Sequence, residues 1–260
     1  EKKITKKTKA ILVVHIYGLP VDLKKILKIK KKYNLRLIED CAEQLGQTFD
    51  SKPIGSFGDI STFSFFANKH ITTGEGGMIV TNNKRFYNSF LEFRNICFSL
   101  KKPRFIHEDI GWNYRLTNLQ AAIGCAQLKK LSLFIKKKRM IGKLYSKNLN
   151  NIDQIQLPLE IFKKSKNIYW VYSLLIKNKE ITALNLSKKL KSKKIETRPF
   201  FCPMHMQPII KKLKLINKNE KFPVSEHIYK YGLYLPSGIG NTISEIKQVI
   251  KIIKNIFKKN

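Results

Sequence analysis

Residues 63–80, FSFFANKHITTGEGGMIV, set one lysine, Lys69, between an aromatic run and a glycine-rich turn. A lysine amine can condense with a carbonyl when its surroundings make it give up its proton. In a chain with 44 lysines the residue type carries no information, so the setting must. Upstream, Asp40 closes the run LRLIED, where a carboxylate can hold a proton on a ring nitrogen. TTGEGG (72–77) adds three glycines, whose backbones approach a neighbour closely and take positive φ, as a tight connection behind a cofactor requires. Asp40 alone reads as a turn residue or helix cap, and Lys69 alone as a surface charge. Together, a Schiff-base lysine and a carboxylate partner for a pyridinium nitrogen are what pyridoxal phosphate requires of its protein.

The elements that must position these groups read as α/β with a mostly parallel sheet. AILVVHIYG (10–18) is a continuous apolar run ending in glycine, which predicts a strand buried on both faces. Asp22 caps a helix bearing Leu23, Ile26 and Leu27 on one face and lysines on the other. LRLIED (35–40), ISTFSFF (60–66) and GMIVT (77–81) are further strands, followed by a helix from about Lys84 to Asn95. If the strands run parallel, Asp40 and Lys69 open toward the same sheet edge, where such folds gather their functional groups. Thr117 and Gln120 form a capping box opening a long helix expected to run to about Leu149. There NNIDQIQLPLE breaks the pattern, giving expected domains of residues 1–150 and 151–260. In the second, smaller α+β part, 169–176 and 193–200 read as strands, and Thr242 with Glu245 caps a last helix.

Composition limits the alternatives. With 260 residues, 43% apolar content and 16 Phe, the chain can fill a packed core. No stretch reaches the roughly 18 consecutive apolar residues of a membrane span, and EKKITKKTKA lacks the apolar run of a signal peptide, so a soluble cytoplasmic protein without membrane contact is expected. Four cysteines without CxxC spacing suggest neither a metal site nor a disulfide framework. The net charge of +33 invites a polyanion reading. Only seven of the 51 basic residues are arginine, however, and the lysines spread along the whole chain. That pattern describes solvated helix faces better than a specific nucleic-acid surface.

IEDCAEQLGQTFDSKPIGSFGDISTFSFFANKHITTGEGGMIVT resembles the core of the DegT/DnrJ/EryC1/StrS sugar aminotransferases, which have the fold-type-I, aspartate aminotransferase-like architecture. The resemblance continues through IHEDIGWNYRLTNLQAAIGCAQL, IETRPFFCPMHMQP and LYLPSG, and its wording is most similar to the perosamine synthase-like members. It implies pyridoxal 5'-phosphate as cofactor, Lys69 as the lysine bound to it and shuttling the proton, and Asp40 as the partner of the pyridine nitrogen. Glu43 falls where many members carry glutamine near the cofactor hydroxyl, and an acid there needs a proton or a donor partner. Ser64 matches a phosphate-holding serine. Asn113 matches an asparagine that reaches the cofactor phosphate of the neighbouring subunit, which implies a homodimer with shared active sites, while Arg115 anchors that loop. His107, Arg198 and His205 fall where substrate approaches, with structural readings as a satisfied histidine, an ion pair and a turn histidine.

The implied reaction moves an amino group from an amino acid, L-glutamate, to the 4-keto carbon of a nucleotide-linked 4-keto-6-deoxyhexose. His70 is distinct from the histidine that replaces the catalytic lysine in the related 3-dehydratases, since the lysine position here is lysine. A 3-aminotransferase, a dehydratase and a nonenzymatic basic polyanion-binding protein remain as alternatives. By the same resemblance ITKKTKAILVVHIYG corresponds to a point inside the family's large domain. The chain is therefore expected to lack an upstream phosphate-binding turn and ring-stacking aromatic, and to bind cofactor weakly by itself.

Overall fold

The computed structural model describes residues 1–98, 102–103, 105–177, 180–217 and 220–258. In chain order its elements are β1 (Ala10–Val14), α1 (Leu23–Lys32), β2 (Arg36–Asp40), β3 (Thr48–Phe49), β4 (Lys52–Pro53), β5 (Ile60–Ser64), β6 (Gly77–Val80), α2 (Lys84–Phe93), α3 (Asn118–Leu128) and α4 (Leu131–Leu149). There follow β7 (Ile155–Gln156), β8 (Ile161–Phe162), β9 (Ser165–Lys166), β10 (Tyr172–Ile176), α5 (Ala183–Lys191), β11 (Arg198–Pro199), α6 (Pro208–Lys212), α7 (Pro223–Tyr231), β12 (Gly232–Leu235) and α8 (Ile243–Lys258). They form two compact units, residues 1–136 with 161–170, and residues 137–160 with 171–260. Among the described residues no helix is long and apolar enough to cross a membrane.

The first unit is built on a four-stranded sheet of order β1-β2-β5-β6. β1 and β2, and β2 and β5, pair in parallel, while β6 returns antiparallel to β5. α1 makes the crossover from β1 to β2. Its N-cap Asp22 accepts from the Lys25 N–H, and Lys30, Lys31 and Lys32 sit in the last turn, where cations complement the helix dipole. Leu23 of α1 packs with Cys41, Phe49 and Ile54 in a buried cluster, which fixes the helix against the end of β2 and the β3–β4 hairpin.

Three expectations need correction. β1 is not buried on both faces: Val13 is buried, but Leu12 and Val14 remain 61% and 50% exposed. Ile11 and Val13 on one face are covered while Ala10, Leu12 and Val14 on the other are exposed, so the apolar run packs on one face. The long helix from Thr117 to Leu149 is two helices. Lys130 donates its N–H to the Gln127 carbonyl, a tightened last turn that ends α3, and α4 starts at Leu131. The strand expected over 193–200 shrinks to Arg198–Pro199; Lys194 has φ +61, and Pro199 has no N–H to extend a ladder.

The second unit carries the antiparallel sheet β11-β12-β10-β7. α8 buries Ile246, Val249, Ile250, Ile253 and Phe257 at helical spacing, and Thr242 and Glu245 close the expected capping box, each accepting the other's backbone N–H. The LYLPSG stretch proves to be a joint within this unit. Tyr145 donates to the Pro236 carbonyl, the Tyr172 N–H donates to Ser237 Oγ, and the buried Lys138 ammonium donates to the Ser237 carbonyl at 2.5 Å.

Burial brings the Lys138 amine down to about 7 from an ordinary lysine value of 10.5. The folded state therefore bears the cost of a buried ammonium below pH 7 and sheds it as pH rises toward 10.5, so wild-type stability should gain with pH over that window. We expect Lys138→Met to remove this gain. In denaturant titrations at pH 7 and pH 10, wild type should gain up to roughly 3.5 kcal/mol relative to the variant. A pH-independent difference would contradict a buried, titrating Lys138.

Candidate active site

The site in the first unit starts from a buried carboxylate that sequence reasoning missed. Glu39, one residue before Asp40 on β2, is fully buried. It accepts from the N–H groups of Gly55 (3.2 Å), Phe57 (2.9 Å) and Gly58 (2.5 Å) and from Ser61 Oγ at 3.4 Å. His15 Nε2 lies 3.1 Å away, and because His15 Nδ1 accepts the Val21 N–H, Nε2 carries the proton and donates it. Burial pushes the Glu39 carboxyl up, yet hydrogen bonds from His15, Gly58 and Gly55 hold it below its ordinary value. Cys41 lies within 4.8 Å of both donor groups, a spacing that could suit a metal. Both His15 nitrogens and the Glu39 oxygens are already engaged in hydrogen bonds, so this cluster reads as structural.

Asp40 ends β2 and accepts the Ala42 N–H at 3.0 Å, while its carbonyl accepts from His15 N–H at 3.1 Å. Because β5 runs parallel to β2, with Asp40 opposite Thr62, both strands end at the same sheet edge. The β5–β6 connection leaves from that edge and carries Lys69, as the sequence suggested. TTGEGG closes this connection. Gly74 and Gly76 take φ +80 and +142, Phe65 N–H donates to the Gly76 carbonyl, and Thr72 N–H donates to Gln127 of α3. Ser64 caps the end of β5, with its Oγ accepting the Phe66 N–H at 3.3 Å.

Lys69 is half-buried among carboxylates. Burial pulls its ammonium below the ordinary lysine range, and the charges of Glu43 and Asp40 push it back. Glu43 is buried and accepts the Tyr17 N–H at 2.6 Å. Burial raises its carboxyl to about 7, against the Tyr17 hydrogen bond and the Lys69 charge, with Asp40 adding to the rise. The donor partner that an acid at this position needs is thus the Tyr17 backbone. Lys69 Nζ lies 4.4 Å from the ring centroid of Trp170, an aromatic that no sequence signal singled out. His70 points elsewhere, its Nε2 lying 3.4 Å from the Ile168 carbonyl.

The other sequence-derived residues occupy separate places. Asn113 is exposed and accepts from Arg115 Nε at 3.1 Å, which makes Arg115 a loop anchor. His107 is exposed, donates from Nδ1 to the Ile96 carbonyl at 2.7 Å, and packs its ring on Phe98. Arg198 and His205 belong to the second unit. Arg198 is exposed on β11 opposite Tyr234, and His205 is 2.9 Å from Glu226 and packs on Phe222. What the first unit brings together is therefore Lys69, Asp40, Glu43 and Ser64 at one sheet edge.

A profile of the DegT/DnrJ/EryC1/StrS aminotransferase family matches residues 1–254. The chain belongs to this family of pyridoxal phosphate-dependent enzymes. GDP-perosamine synthase of Escherichia coli O157:H7 is 45% identical over 240 residues, 91% of this chain and 62% of that protein. GDP-perosamine synthase of Vibrio cholerae is 39% identical over 261 residues, 99% of this chain and 69% of that protein. Among solved structures, Helicobacter pylori PseC, an aminotransferase involved in the biosynthesis of pseudoaminic acid, superposes with a TM-score of 0.91 at 27% identity, covering 100% of this chain and 69% of that one. The fold is the family's fold-type-I architecture, a mixed-sheet domain with a smaller C-terminal α+β domain.

A raised Glu43 makes the site pH-sensitive. Its folded value near 7 lies above its ordinary 4.5, so wild type is free of the cost of a buried carboxylate at low pH and acquires it as pH rises through that window. Glu43→Gln keeps an acceptor for Tyr17 N–H and carries no charge. We expect the variant to gain stability over wild type, by roughly 3 kcal/mol at most, as pH goes from 4.5 to 8 in urea melts. Parallel pH profiles for the two proteins would contradict it.

Proposed function

We propose that this chain carries the active-site lysine of an aminotransferase that moves an amino group from L-glutamate to the 4-keto carbon of a nucleotide-linked 4-keto-6-deoxyhexose. The observation behind this reading is Lys69, an amine drawn below its ordinary pKa by burial and set at one sheet edge with two carboxylates. The sugar and the position of amination follow the likeness to GDP-perosamine synthases.

The donor set fits pyridoxal phosphate. When bound, this cofactor supplies an electron sink that stabilises negative charge on the carbon losing a proton. Asp40 is assigned to its pyridine nitrogen, keeping that nitrogen protonated. Glu43 is assigned to the ring hydroxyl, and Ser64 to the phosphate. With the cofactor bound, Lys69 would be the residue that holds it through Nζ and, once released, would carry the proton between the two carbons that exchange it. Its lowered pKa serves that role, since it eases loss of the proton, leaving an amine that can act as base and whose conjugate acid can give the proton back.

Asn113 is assigned to the cofactor phosphate of a second copy, in a homodimer with shared sites. It sits in a loop whose Ile110 and Tyr114 are 77% and 73% exposed in the single chain. His107, Arg198 and His205 are assigned to the nucleotide sugar. Amination rather than dehydration rests on Lys69 itself, with His70 engaged toward the Ile168 carbonyl.

The test is to incubate the protein with pyridoxal phosphate, reduce with borohydride and map the modified lysine by peptide mass spectrometry. Label concentrated on Lys69, and absent from that peptide in Lys69→Ala, is the expected result. Label spread evenly over the 44 lysines would overturn the assignment. Assays with 4-keto and 3-keto nucleotide sugars then separate 4-amination from its alternative.

A further inference from the structure

Trp170 reaches Lys69 from 101 residues further along the chain, and it is fixed there on every side. The indole is 4% exposed, and its ring centroid is 4.4 Å from Lys69 Nζ. Indole Nε1–H donates to the Asn68 carbonyl at 3.0 Å, one residue from the lysine itself. Tyr17, whose N–H binds Glu43, lies parallel to the indole at 6.1 Å and 11°. The strap 161–170 that carries Trp170 is tied to the first unit along its length. Ser165 Oγ donates to the Thr48 carbonyl, Ile168 N–H donates to the Gly18 carbonyl, and the Gln47 amide donates to both Gly18 and Lys166 carbonyls. Gly18 has φ +90, and a Cβ there would come within 2.8 Å of the backbone nitrogens of Tyr169 and Trp170, so glycine permits the strap's approach.

A ring face in this position acts on an ammonium and not on a neutral amine, because the negative quadrupole of the indole attracts positive charge. The groups facing Lys69 are the Glu43 and Asp40 carboxylates and the Trp170 ring, with the Tyr17 phenol ring parallel to the indole. We propose that Trp170 is a positioning residue whose ring face holds the Lys69 ammonium in place and sets the pH at which that amine becomes free to react. Burial favours release of the proton, and the indole opposes it, so the ring tunes the lysine between a trapped cation and a freely titrating amine. A tryptophan that merely filled the core would pack as well but would leave the lysine's titration unchanged. The proposal rests on Lys69 being the reacting amine of the function proposed above.

The test replaces tryptophan by mono-, di- and trifluorotryptophan, which withdraw density from the ring face in steps with little change of shape. A Trp112→Phe background removes the other tryptophan. In the protein without added cofactor, competitive acetylation across pH, read by mass spectrometry of the Lys69 peptide, gives the midpoint of that amine. Lys84, which lies 4.6 Å from the Tyr87 ring, serves as the internal control, since its ring is not fluorinated.

We expect the Lys69 midpoint to fall stepwise with fluorination, by roughly half a unit to one and a half units in all, with Lys84 unmoved. Unchanged Lys69 midpoints across the series would overturn the proposal. Trp170→Phe and Trp170→Leu give a second reading that needs no analogue. With native-like circular dichroism, the midpoint should fall in the order Trp, Phe, Leu, and equal midpoints would again refute it. Selective reduction of pyridoxal phosphate onto Lys69 is a separate readout. Failure of the indole effect therefore leaves the proposed function standing, and failure of selective labelling does not alter the titration result.

Discussion

Glu39 is the constraint on which the site's frame depends. A carboxylate removed from water costs several kcal/mol unless its oxygens are satisfied, and here five donors converge on them. Those donors come from the exit of β1, from the turn at residues 55–58 and from β5. One buried charge thus pins the end of β2 to its neighbours on both sides. Side chains alternate along a strand, so holding Glu39 inward directs Asp40 away from that network, where its carboxylate accepts the Ala42 N–H. The residue that does the holding and the residue assigned above to the cofactor are adjacent in sequence and point to opposite sides of the strand.

The electrostatics of the edge run against those of the chain as a whole. The net charge of +33 is carried by lysines spread over the sequence, many of them on exposed helix faces. At Lys69 and Glu43 burial drives both groups toward neutrality, the amine downward and the acid upward. A protonated Glu43 can both accept from Tyr17 N–H and donate from its own hydroxyl. The local balance matters more for proton transfer than the global excess, whose effect on exposed charges is screened within about 8–10 Å at moderate salt.

Local patterns made much of this legible. Asp22 and Thr117 announce their helices because a capping side chain and the turn it closes are three residues apart. Asp40 and Lys69 were placed at one edge because parallel strands share their direction, and the TTGEGG turn was readable because positive φ selects glycine. What stayed hidden depends on partners distant in sequence. The apolar run of β1 records that both faces avoid water but not which face is covered in this chain. Glu39 looks like an ordinary polar position in a strand, and its five donors are recognisable only once β1, the 55–58 turn and β5 are assembled. The break between α3 and α4 leaves no proline or glycine at Lys129–Lys130 to mark it.

Trp170 was hidden for the same reason, and the backbone explains why its placement is firm. Tyr17 and Tyr169 both have positive φ, +56 and +48, a region that costs a residue with a Cβ roughly 1–2 kcal/mol. Each strained residue has its N–H taken by an acceptor, Glu43 for Tyr17 at 2.6 Å and Asn167 Oδ1 for Tyr169 at 2.7 Å. Between them Gly18 and Ile168 share a backbone hydrogen bond. Two left-handed turns, one at the exit of β1 and one in the strap, therefore lock against each other and carry the Tyr17 and Trp170 rings into a parallel pair. Because that pair is set by backbone geometry and not by side-chain rotamers alone, the face presented to Lys69 is determined before any ligand arrives. Strain kept next to a reactive group, and offset by hydrogen bonds that converge on it, is how a fold can prepare a site in advance.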